Sequence, residues 1–294
     1  MGRRSLFSYR AERSPNAWLY LLPSLIFIFT FSVYPLVRTF IMAFHSNNGE
    51  KMVAWKNFIY VLKDSKFHRA LGNTSLFSFV VVPVALILSM LIALTIHSKI
   101  KGAKFFETIF FFPYITSVIA VGIVFRYIFN GKYGILNLIL QWFNLGPYEF
   151  LENPKLNMTA LIIFGVWSSL AFNVIILLSG LRNIDPDYYK VAEMFGATEE
   201  EQFRKITLPS LLPIITFLLA TNFIGAFKVY GQVFSLFNGS PGVGGKAMTA
   251  VFYVYNKFYR EMRLGHGTAA AVILFFIILI FTLIQRALIK RVSE

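Results

Sequence analysis

The sequence contains no cysteine, and only 4 of its 294 residues are histidine. Without cysteine the chain can form no disulfide, no thiolate metal site and no thiol nucleophile. The histidines are scattered and show no metal-ligand spacing. No HExxH, GxSxG or Walker A motif occurs, and the glycine-rich residues 238–245 lack the lysine–serine pair of a phosphate-binding loop. We therefore predict that the chain is not an enzyme and has no metal or other cofactor of its own.

Charged residues are also scarce. They make up 14% of the chain, whereas 56% of the residues are hydrophobic, and the mean hydropathy is +0.63. This composition is too apolar for a soluble domain. A net charge of +14 would suggest nucleic acid in a soluble protein, but the basic residues lie mainly at the ends of apolar runs. Anionic lipid headgroups and membrane topology explain them better, so we predict membrane lipid and no nucleic acid as a partner.

Long apolar runs dominate what is present. We predict an all-α, polytopic membrane protein with six transmembrane helices, because six runs are long enough to cross a bilayer. They occupy residues 17–44, 73–97, 107–129, 157–181, 209–237 and 268–288. The first run is too long for a signal peptide and lacks a small-residue cleavage site, so we expect an uncleaved span. Both termini are predicted to be cytoplasmic, from basic ends and from Lys99, Lys101 and Lys104 between the second and third spans.

The predicted spans divide the chain into three parts. These are a cytoplasmic tail at residues 1–16, a first span with an outer amphipathic segment at 17–72, and a core of five spans at 73–294. The apolar side chains of the amphipathic segment are expected to lie along the membrane interface. They are Phe58, Val61, Leu62 and Phe67.

Two further outer loops are expected. The loop at residues 130–155 is predicted to hold a short helix near residues 135–143. The longest outer loop, at residues 238–267, opens with glycine and proline that make turns and prevent regular structure.

The charged interruption at residues 182–208 predicts a hairpin of two short helices. Asp185 can cap the first helix, and Pro186 stands at its first position, where a missing N–H costs nothing. Gly196 ends this helix, and Thr198 with a glutamate three residues later predicts a capping box for the second. The first helix has an apolar face, formed by Tyr188, Val191, Ala192 and Phe195. Such a face needs the groove of a partner protein or the lipid surface, and both remain open at this point.

The same segment resembles the cytoplasmic EAA loop of the permease subunits of binding-protein-dependent ABC importers. The positions that match the family pattern in register are Ala192, Gly196, Ala197, Phe203, Ile206, Leu208, Pro209 and Pro213. Lys190 and Phe195 depart from it, since the family has Glu and Asp there; Val191 is a mild change from Ala, and Glu193 is off register. Further positions similar to the family are Asn57, Phe58, Asp64, Phe67, Leu71, Asn73, Thr74, Phe111, Phe112, Pro113, Ser117, Trp167, Phe172, Gly180, Leu181 and Pro186.

The resemblance implies a multi-pass permease of the sugar-importing type in a bacterial cytoplasmic membrane. Its implied partners are a second permease, two ABC ATPase subunits that hold ATP and Mg²⁺, and an extracytoplasmic solute-binding protein. It also implies that residues 182–208 form a coupling loop that docks on the ATPase. The docking residues are then Tyr188, Lys190, Val191, Ala192, Glu193, Phe195, Gly196 and Ala197. The departures at Lys190 and Phe195 leave the polar contacts with the ATPase open.

Polar side chains within the predicted spans are expected to mark a solute pathway, because unpaired polar groups are costly in lipid. The candidates are Asn173, Asn222, Lys228, Tyr230 and Gln232. Asn222, Gly225 and Val229 fall on one helical stripe, with Gln232 close to it. The alternative is that these amides form hydrogen bonds between helices. We prefer that alternative for Asn173 and leave it open for the fifth-span residues.

Amides and aromatic rings suit a neutral sugar or oligosaccharide, because sugar hydroxyls need hydrogen bonds and sugar faces stack on rings. Residues 227–237 are more similar to the sugar permeases of the family than to its amino-acid or metal permeases. An acidic saccharide, a sugar-phosphate and a polyol remain alternatives, the charged ones because of Lys228. The competing class is an ATP-independent secondary carrier, but no Asp or Glu lies centrally in a predicted span to bind a coupling ion.

Overall fold

The computed structural model describes residues 17–98, 105, 108–109 and 114–293, and every regular element in them is a helix. We number the α-helices α1 (Ala17–Ile28), α2 (Tyr34–Ala43), α3 (Lys56–Lys63), α4 (Ser65–His97), α5 (Val118–Ile128), α6 (Ile135–Trp142), α7 (Asn157–Arg182), α8 (Pro186–Met194), α9 (Glu199–Gln202), α10 (Leu208–Phe227), α11 (Gly231–Leu236), α12 (Ala250–Tyr255) and α13 (Leu264–Ser293). The all-α prediction is confirmed.

Five described helices are long and apolar enough to cross a membrane. They are Leu19–Ala43, Ser65–His97, Asn157–Arg182, Glu199–Phe227 and Leu264–Leu288. The third predicted span is represented by the shorter α5, because residues 110–113 and most of its other early residues lie outside the described part. The predicted tail at 1–16, the lysines at 99–104 and the matched residues 111–113 also lie outside it. The count of six spans therefore stays a prediction.

The core is built where α4 crosses α7. Phe77 and Val81 of α4 pack with Phe164 of α7 in the largest cluster of buried apolar side chains. Close approach is possible because Gly165 faces this contact: a Cβ there would lie 2.5 Å from the Phe77 ring. Gly180, near the other end of α7, has the same role against α10, where a Cβ would lie 2.2 Å from Ile214. Small residues at such crossings let membrane helices gain van der Waals contact.

The first span is continuous but contains one wide turn. α1 and α2 are joined by a π-turn at Phe29–Val33, which ends two residues before Pro35. Proline has no N–H to donate and its ring excludes the carbonyl four residues earlier, so one wide turn accommodates it without ending the helix. From residue 19 onward the first span exposes nearly all of its apolar side chains, and only Ala43 at its end is buried among them.

The segment that follows does not lie along a lipid interface as expected. Phe58, Val61 and Phe67 are buried, and they pack on Tyr253 and the small residues of α13. Only Leu62 of the four predicted interfacial residues is exposed. The prediction was wrong because amphipathicity shows that a face is covered, not whether lipid or protein covers it. The second span also begins earlier than residue 73, since Asp64 caps α4 by accepting a hydrogen bond from the Lys66 N–H at 2.9 Å.

The predicted bounds of the fifth span, residues 209 and 237, are both wrong. The second short helix does not stand apart, because α9, a π-turn at Phe203–Thr207 and α10 form one continuous helix, Glu199–Phe227. That helix stops at Phe227 instead of continuing to residue 237. The N–H groups of Lys228 and Val229 bond the carbonyls only three residues back. The Val229 carbonyl then accepts a buried hydrogen bond from the Thr249 hydroxyl at 2.8 Å. This tertiary contact stabilises the break between α10 and α11.

The two outer loops differ in how well the sequence predicted them. The short helix expected near residues 135–143 is present as α6. In the longest loop, residues 238–245 form turns and one 3₁₀ turn at Val243–Gly245, but α12 and a π-turn at Asn256–Arg260 follow. The last helix begins at Leu264, before the predicted residue 268.

Candidate functional site

A cavity of about 400 Å³ lies between α4, α5, α7 and the end of α10. Its described lining combines polar uncharged side chains with aromatic ones. The lining residues are Phe77, Val81, Val82, Tyr114, Thr116, Val118, Val121, Phe164, Gly165, Trp167, Ser168, Ser169, Phe172, Thr221, Asn222, Gly225, Ala226, Val229 and Gln232. No charged side chain occurs among them.

The polar groups of the cavity retain hydrogen-bonding capacity. The Ser168 and Ser169 hydroxyls donate to the Gly165 carbonyl at 3.0 and 2.9 Å, which leaves their oxygens able to accept. The Asn222 amide group donates to the Leu218 carbonyl at 2.8 Å, and its own oxygen is assigned no hydrogen bond within the described residues. Gln232, in the first turn of α11, adds a second amide. These groups can exchange hydrogen bonds with an uncharged, hydroxyl-rich solute.

Aromatic rings form the other part of the wall. Tyr114 stacks on Phe172 with ring centroids 5.7 Å apart and planes inclined by 21°. Trp167 meets Phe125 edge-on at 5.1 Å, so its ring is held in place. Flat apolar faces beside amides and hydroxyls are typical of small-molecule sites that bind amphipathic ligands.

The predicted stripe of the fifth span forms one wall of this cavity. Asn222, Gly225, Val229 and Gln232 all line it, although α10 ends between the second and third of them. Asn173 does not line it. It is fully buried behind Asn222, whose amide donates to the Asn173 oxygen at 2.7 Å. This geometry agrees with the interhelical hydrogen bond that we preferred for Asn173.

Two predicted pathway residues do not reach the cavity. Lys228 caps the C-terminus of α10, is exposed and forms no ion pair within the described part of the chain. Tyr230 packs instead in an aromatic group with Phe234, Phe252 and Tyr255, with ring centroids 5.0–5.7 Å apart. The sequence prediction assigns both residues to the pathway because it assumes an unbroken fifth helix. The break at residue 228 directs both side chains away from the cavity.

The hairpin has the capping that its sequence predicts. The Asp185 side chain accepts from the Asp187 N–H at 2.9 Å, and the Thr198–Glu201 capping box is complete. Gly196 has φ +75°, and nothing lies within 4 Å of where its Cβ would be. Glycine is therefore required here by backbone conformation and not by packing.

The apolar tip of the hairpin has no covering within the described residues. Tyr188, Val191, Met194 and Phe195 are exposed, with Met194 and Phe195 at 86% and 87%. Lys190 pairs with Asp187 at 2.8 Å on the polar side, and Ala192 and Ala197 are half-buried beside exposed Glu193. The sequence prediction omitted Met194, which lies beside Phe195 at the end of the predicted face.

Sequence reasoning also missed the residue that holds the hairpin to the bundle. The Tyr189 hydroxyl lies 2.8 Å from the Thr207 hydroxyl in the π-turn. Its ring packs against the buried cluster that contains Ile184 and Leu211. The neighbouring Tyr188 faces solvent, and only the packed structure distinguishes the two tyrosines.

A second missed group fixes the glycine-rich loop at the opposite end of the bundle. The Asn157 oxygen accepts from the Val243 N–H at 2.8 Å. The Asn73 amide donates to the Lys246 and Met248 carbonyls, both at 2.9 Å, and Thr74 accepts from the Ala250 N–H at 2.8 Å. The sequence identifies the adjacent Asn73 and Thr74 only by their similarity to the family. Side chains of two long helices thus hold a loop whose own sequence favours irregularity.

Comparison with protein families identifies the chain. Residues 85–294 match the family described as "Binding-protein-dependent transport system inner membrane component". The chain belongs to this family. It is therefore a membrane-spanning permease component of a transport system, and the family is not a family of catalytic enzymes. The predicted family resemblance is confirmed.

Several curated relatives of this permease are similar over nearly its whole length. The arabinooligosaccharides transport system permease protein AraP of Bacillus subtilis is 30% identical over 97% of the chain and 90% of its own length. The trehalose/maltose transport system permease protein MalF of Thermococcus litoralis is 29% identical over 91% of each. The lactose transport system permease protein LacF of Rhizobium radiobacter is 28% identical over 89% of each.

A solved structure shares the fold of this permease. A chain of a bacterial ABC transporter involved in the import of the acidic polysaccharide alginate has a TM-score of 0.82. It is 23% identical, and the match covers 95% of this chain and 97% of that one. At this identity the likeness establishes the ABC permease fold alone.

Proposed function

We propose that this permease imports a neutral sugar or oligosaccharide as one of two permease subunits of an ATP-driven complex. The observation that carries the proposal is the cavity lined by Asn222, Gln232, Ser168 and aromatic rings, with no charged side chain among its described lining residues. The names of its relatives point to the same class, since they include permeases for arabinooligosaccharides, trehalose/maltose and lactose.

The lining favours a neutral over an acidic solute. A carboxylate or phosphate moved into a low-dielectric cavity needs a cation or several N–H donors. None of the described lining residues is basic, and Lys228, which left acidic substrates open, lies outside the cavity. A polyol shares the hydroxyl chemistry of a sugar but lacks a rigid apolar face for Trp167 and the Tyr114–Phe172 pair.

The energy would come from two ABC ATPase subunits, on which ATP and Mg²⁺ would be bound. The hairpin supports this proposal because its tip exposes Met194 and Phe195, and such an amphipathic element needs a groove to bury its face. In this arrangement the hairpin and both termini are cytoplasmic. A solute-binding protein would deliver the sugar at the other end of the bundle.

One continuous helix connects the hairpin to the cavity. Glu199–Phe227 has 29 residues and therefore spans roughly 44 Å at 1.5 Å per residue. Its first turn belongs to the hairpin, and its last turns carry Thr221, Asn222 and Gly225 of the cavity wall. Closure of the paired ATPases would move the hairpin, and the helix would transmit that motion to the wall. The permease pair would then change from inward-open to outward-open, and hydrolysis would reset it.

Co-purification tests the docking. The chain is expressed with its neighbouring permease and ATPase, extracted in mild detergent and captured on a C-terminal tag. We expect stoichiometric ATPase for the wild type, and loss of ATPase with retained permease pairing for Tyr188→Asp with Phe195→Asp. Tyr188→Phe with Phe195→Leu keeps the apolar face and should retain the ATPase. Full retention by the Asp variant would refute the docking role of the hairpin.

Uptake in proteoliposomes tests the transport class and the substrate. With the loaded binding protein outside and ATP inside, we expect accumulation of a neutral oligosaccharide that stops when the ATPase is omitted. Accumulation that continues without the ATPase would support a secondary carrier. Inhibition by uronic-acid oligosaccharides but not by neutral ones would contradict the substrate assignment while leaving the ATP-driven mechanism intact.

A further inference from the structure

The segment containing α6 is unusually apolar for a loop between two membrane helices. No charged residue occurs between Lys132 and Glu149. The segment follows the end of α5 and precedes the start of α7, so it lies at the end of the bundle opposite the hairpin, which follows the end of α7. An uncharged connection of this length is poorly suited to water.

One face of α6 is attached firmly to the protein. Asn137 is 2% exposed, and its amide donates to the carbonyls of Asn130, Gly131 and Tyr148 at 2.9–3.1 Å. The Asn137 oxygen accepts from the Tyr148 N–H at 2.9 Å. Leu136 and Leu140 pack against the largest buried cluster. These contacts fix both the position and the rotation of α6.

The opposite face is apolar and exposed. It consists of Ile135, Leu138, Ile139, Trp142 and Phe143, at the i, i+3, i+4, i+7 and i+8 spacing of a single helical stripe. Trp142 and Phe143 are 82% and 70% exposed. A helix with this stripe, held rigidly and without charge, requires an apolar medium or an apolar partner.

We propose that α6 lies in the membrane interface and buries this stripe in the lipid of the leaflet opposite the hairpin. α5, which precedes the segment, also exposes apolar side chains, among them Ile123, Val124 and Tyr127. Tyr127, Tyr133 and Trp142 have an apolar ring and a polar group, the combination enriched where hydrocarbon meets headgroups. Exposed Gln141 and Asn144 supply a polar edge at the end of the helix. Interfacial helices of this kind bind by burying such a stripe beneath the headgroups.

The lack of cysteine makes the proposal directly testable. Leu138→Cys and Trp142→Cys are each labelled with a nitroxide in the assembled complex, reconstituted in phosphatidylcholine and phosphatidylglycerol vesicles. Lys132→Cys, on the adjoining polar turn, is the water-exposed control, and Leu136→Cys is the protein-covered control. The complex without an introduced cysteine gives the background. Collision rates with oxygen, which concentrates in lipid, and with a water-soluble nickel chelate are then compared by electron paramagnetic resonance.

We expect the oxygen-to-nickel collision ratio to be severalfold higher at positions 138 and 142 than at 132, with the label at 136 shielded from both reagents. A nickel accessibility at 138 equal to that at 132 would overturn the proposal, because the stripe would then face water. Shielding of 138 and 142 from both reagents, as at 136, would also overturn it, because another subunit would then cover the stripe. Uptake measured on the same labelled complexes shows that the labels have not disrupted assembly.

Discussion

Two asparagines in contact illustrate how residues of one type differ in role. Asn222 lies on the cavity wall, and Asn173 lies behind it with no solvent exposure. One hydrogen bond of 2.7 Å joins them. The Asn173 amide nitrogen itself has no hydrogen-bond partner within the described residues. Substitution should therefore separate solute binding from helix packing.

We expect Asn222→Ala to raise the KM for uptake by about fivefold, the equivalent of one hydrogen bond of ~1 kcal/mol. Asn173→Ala should instead lower the thermal unfolding midpoint and change KM less, because Asn173 does not reach the cavity. Uptake kinetics and melting of the purified complex measure the two effects. Equal increases in KM for both variants would contradict this division.

Gly196 is a second position at which we expect a single residue to affect function. Its positive φ disfavours a side chain, and a β-branched one most, at a cost of about 1 kcal/mol or more. We expect Gly196→Val to change the angle between α8 and α9 and to uncouple ATP hydrolysis from transport. Gly72→Ala is the control, because Gly72 also has open space around its Cβ but lies within regular α4. Transport per ATP hydrolysed is the measurement, and a wild-type value for Gly196→Val would refute the expectation.

At the scale of elements, a nearly buried ion cluster joins the start of α4 to the segment after α12. Lys257 Nζ lies 2.9 Å from Glu261 and 3.5 Å from Asp64, and its side chain is 5% exposed. The Tyr253 hydroxyl donates to Asp64 at 2.7 Å. Asp64 also caps α4, so one carboxylate supports the helix start and the contact between the two loops.

Acid should weaken this cluster. Burial opposes ionisation of Asp64, but the hydrogen bonds from Tyr253 and the Lys66 N–H, with the charge of Lys257, outweigh it and hold its pKa below the usual value. A carboxyl whose pKa is lowered by folding stabilises the protein above its unfolded pKa, about 3.9, and loses that contribution as the pH falls through the folded value.

We therefore expect Asp64→Asn to lower the unfolding midpoint at pH 7. The difference from wild type should shrink as the pH is lowered below about 4, the region of an unperturbed Asp pKa. Thermal unfolding in nanodiscs across this pH range measures it. Asp187→Asn, which removes only an exposed pair with Lys190, should have little effect at any pH. A destabilisation by Asp64→Asn that did not depend on pH would indicate lost packing instead of lost charge.

At the scale of the whole molecule, the proposed coupling requires that the hairpin and the long helix move together. The Tyr189–Thr207 hydrogen bond is one direct link between them. We expect Tyr189→Phe and Thr207→Val each to reduce transport per ATP while the ATPase remains bound. Tyr188→Phe removes a hydroxyl from the exposed neighbour and is the matched control. Unchanged stoichiometry in both linked variants would show that packing of Ile206 and Leu211 suffices.

The hairpin was predictable because its signals are local. Each signal acts on N–H groups or φ angles within a few residues of itself. The signals are Asp185, Pro186, Gly196 and the Thr198–Glu201 capping box. The shared face of Asn222 and Gly225 was predictable because helical spacing determines a face, whereas Val229 and Gln232 line the same cavity although α10 ends before them. The end of α10 was not, since the Thr249 hydroxyl that bonds the Val229 carbonyl is 20 residues away. Lys228 and Tyr230 follow that break, so the spacing of an unbroken helix misplaced them.

By itself, the sequence determined the membrane class, the all-α fold, the family and the capped hairpin, because apolar length, composition and short-range hydrogen bonds need no tertiary information. Only the tertiary structure decided that the 45–72 segment packs on α13, that Asn73 and Asn157 hold the glycine-rich loop, and that the cavity is free of charged side chains in its described lining. Each of these depends on contacts between residues distant in the chain. The hydrophobic pattern of a segment shows that one of its faces is covered. Only the packing of the helices shows whether protein or lipid covers it.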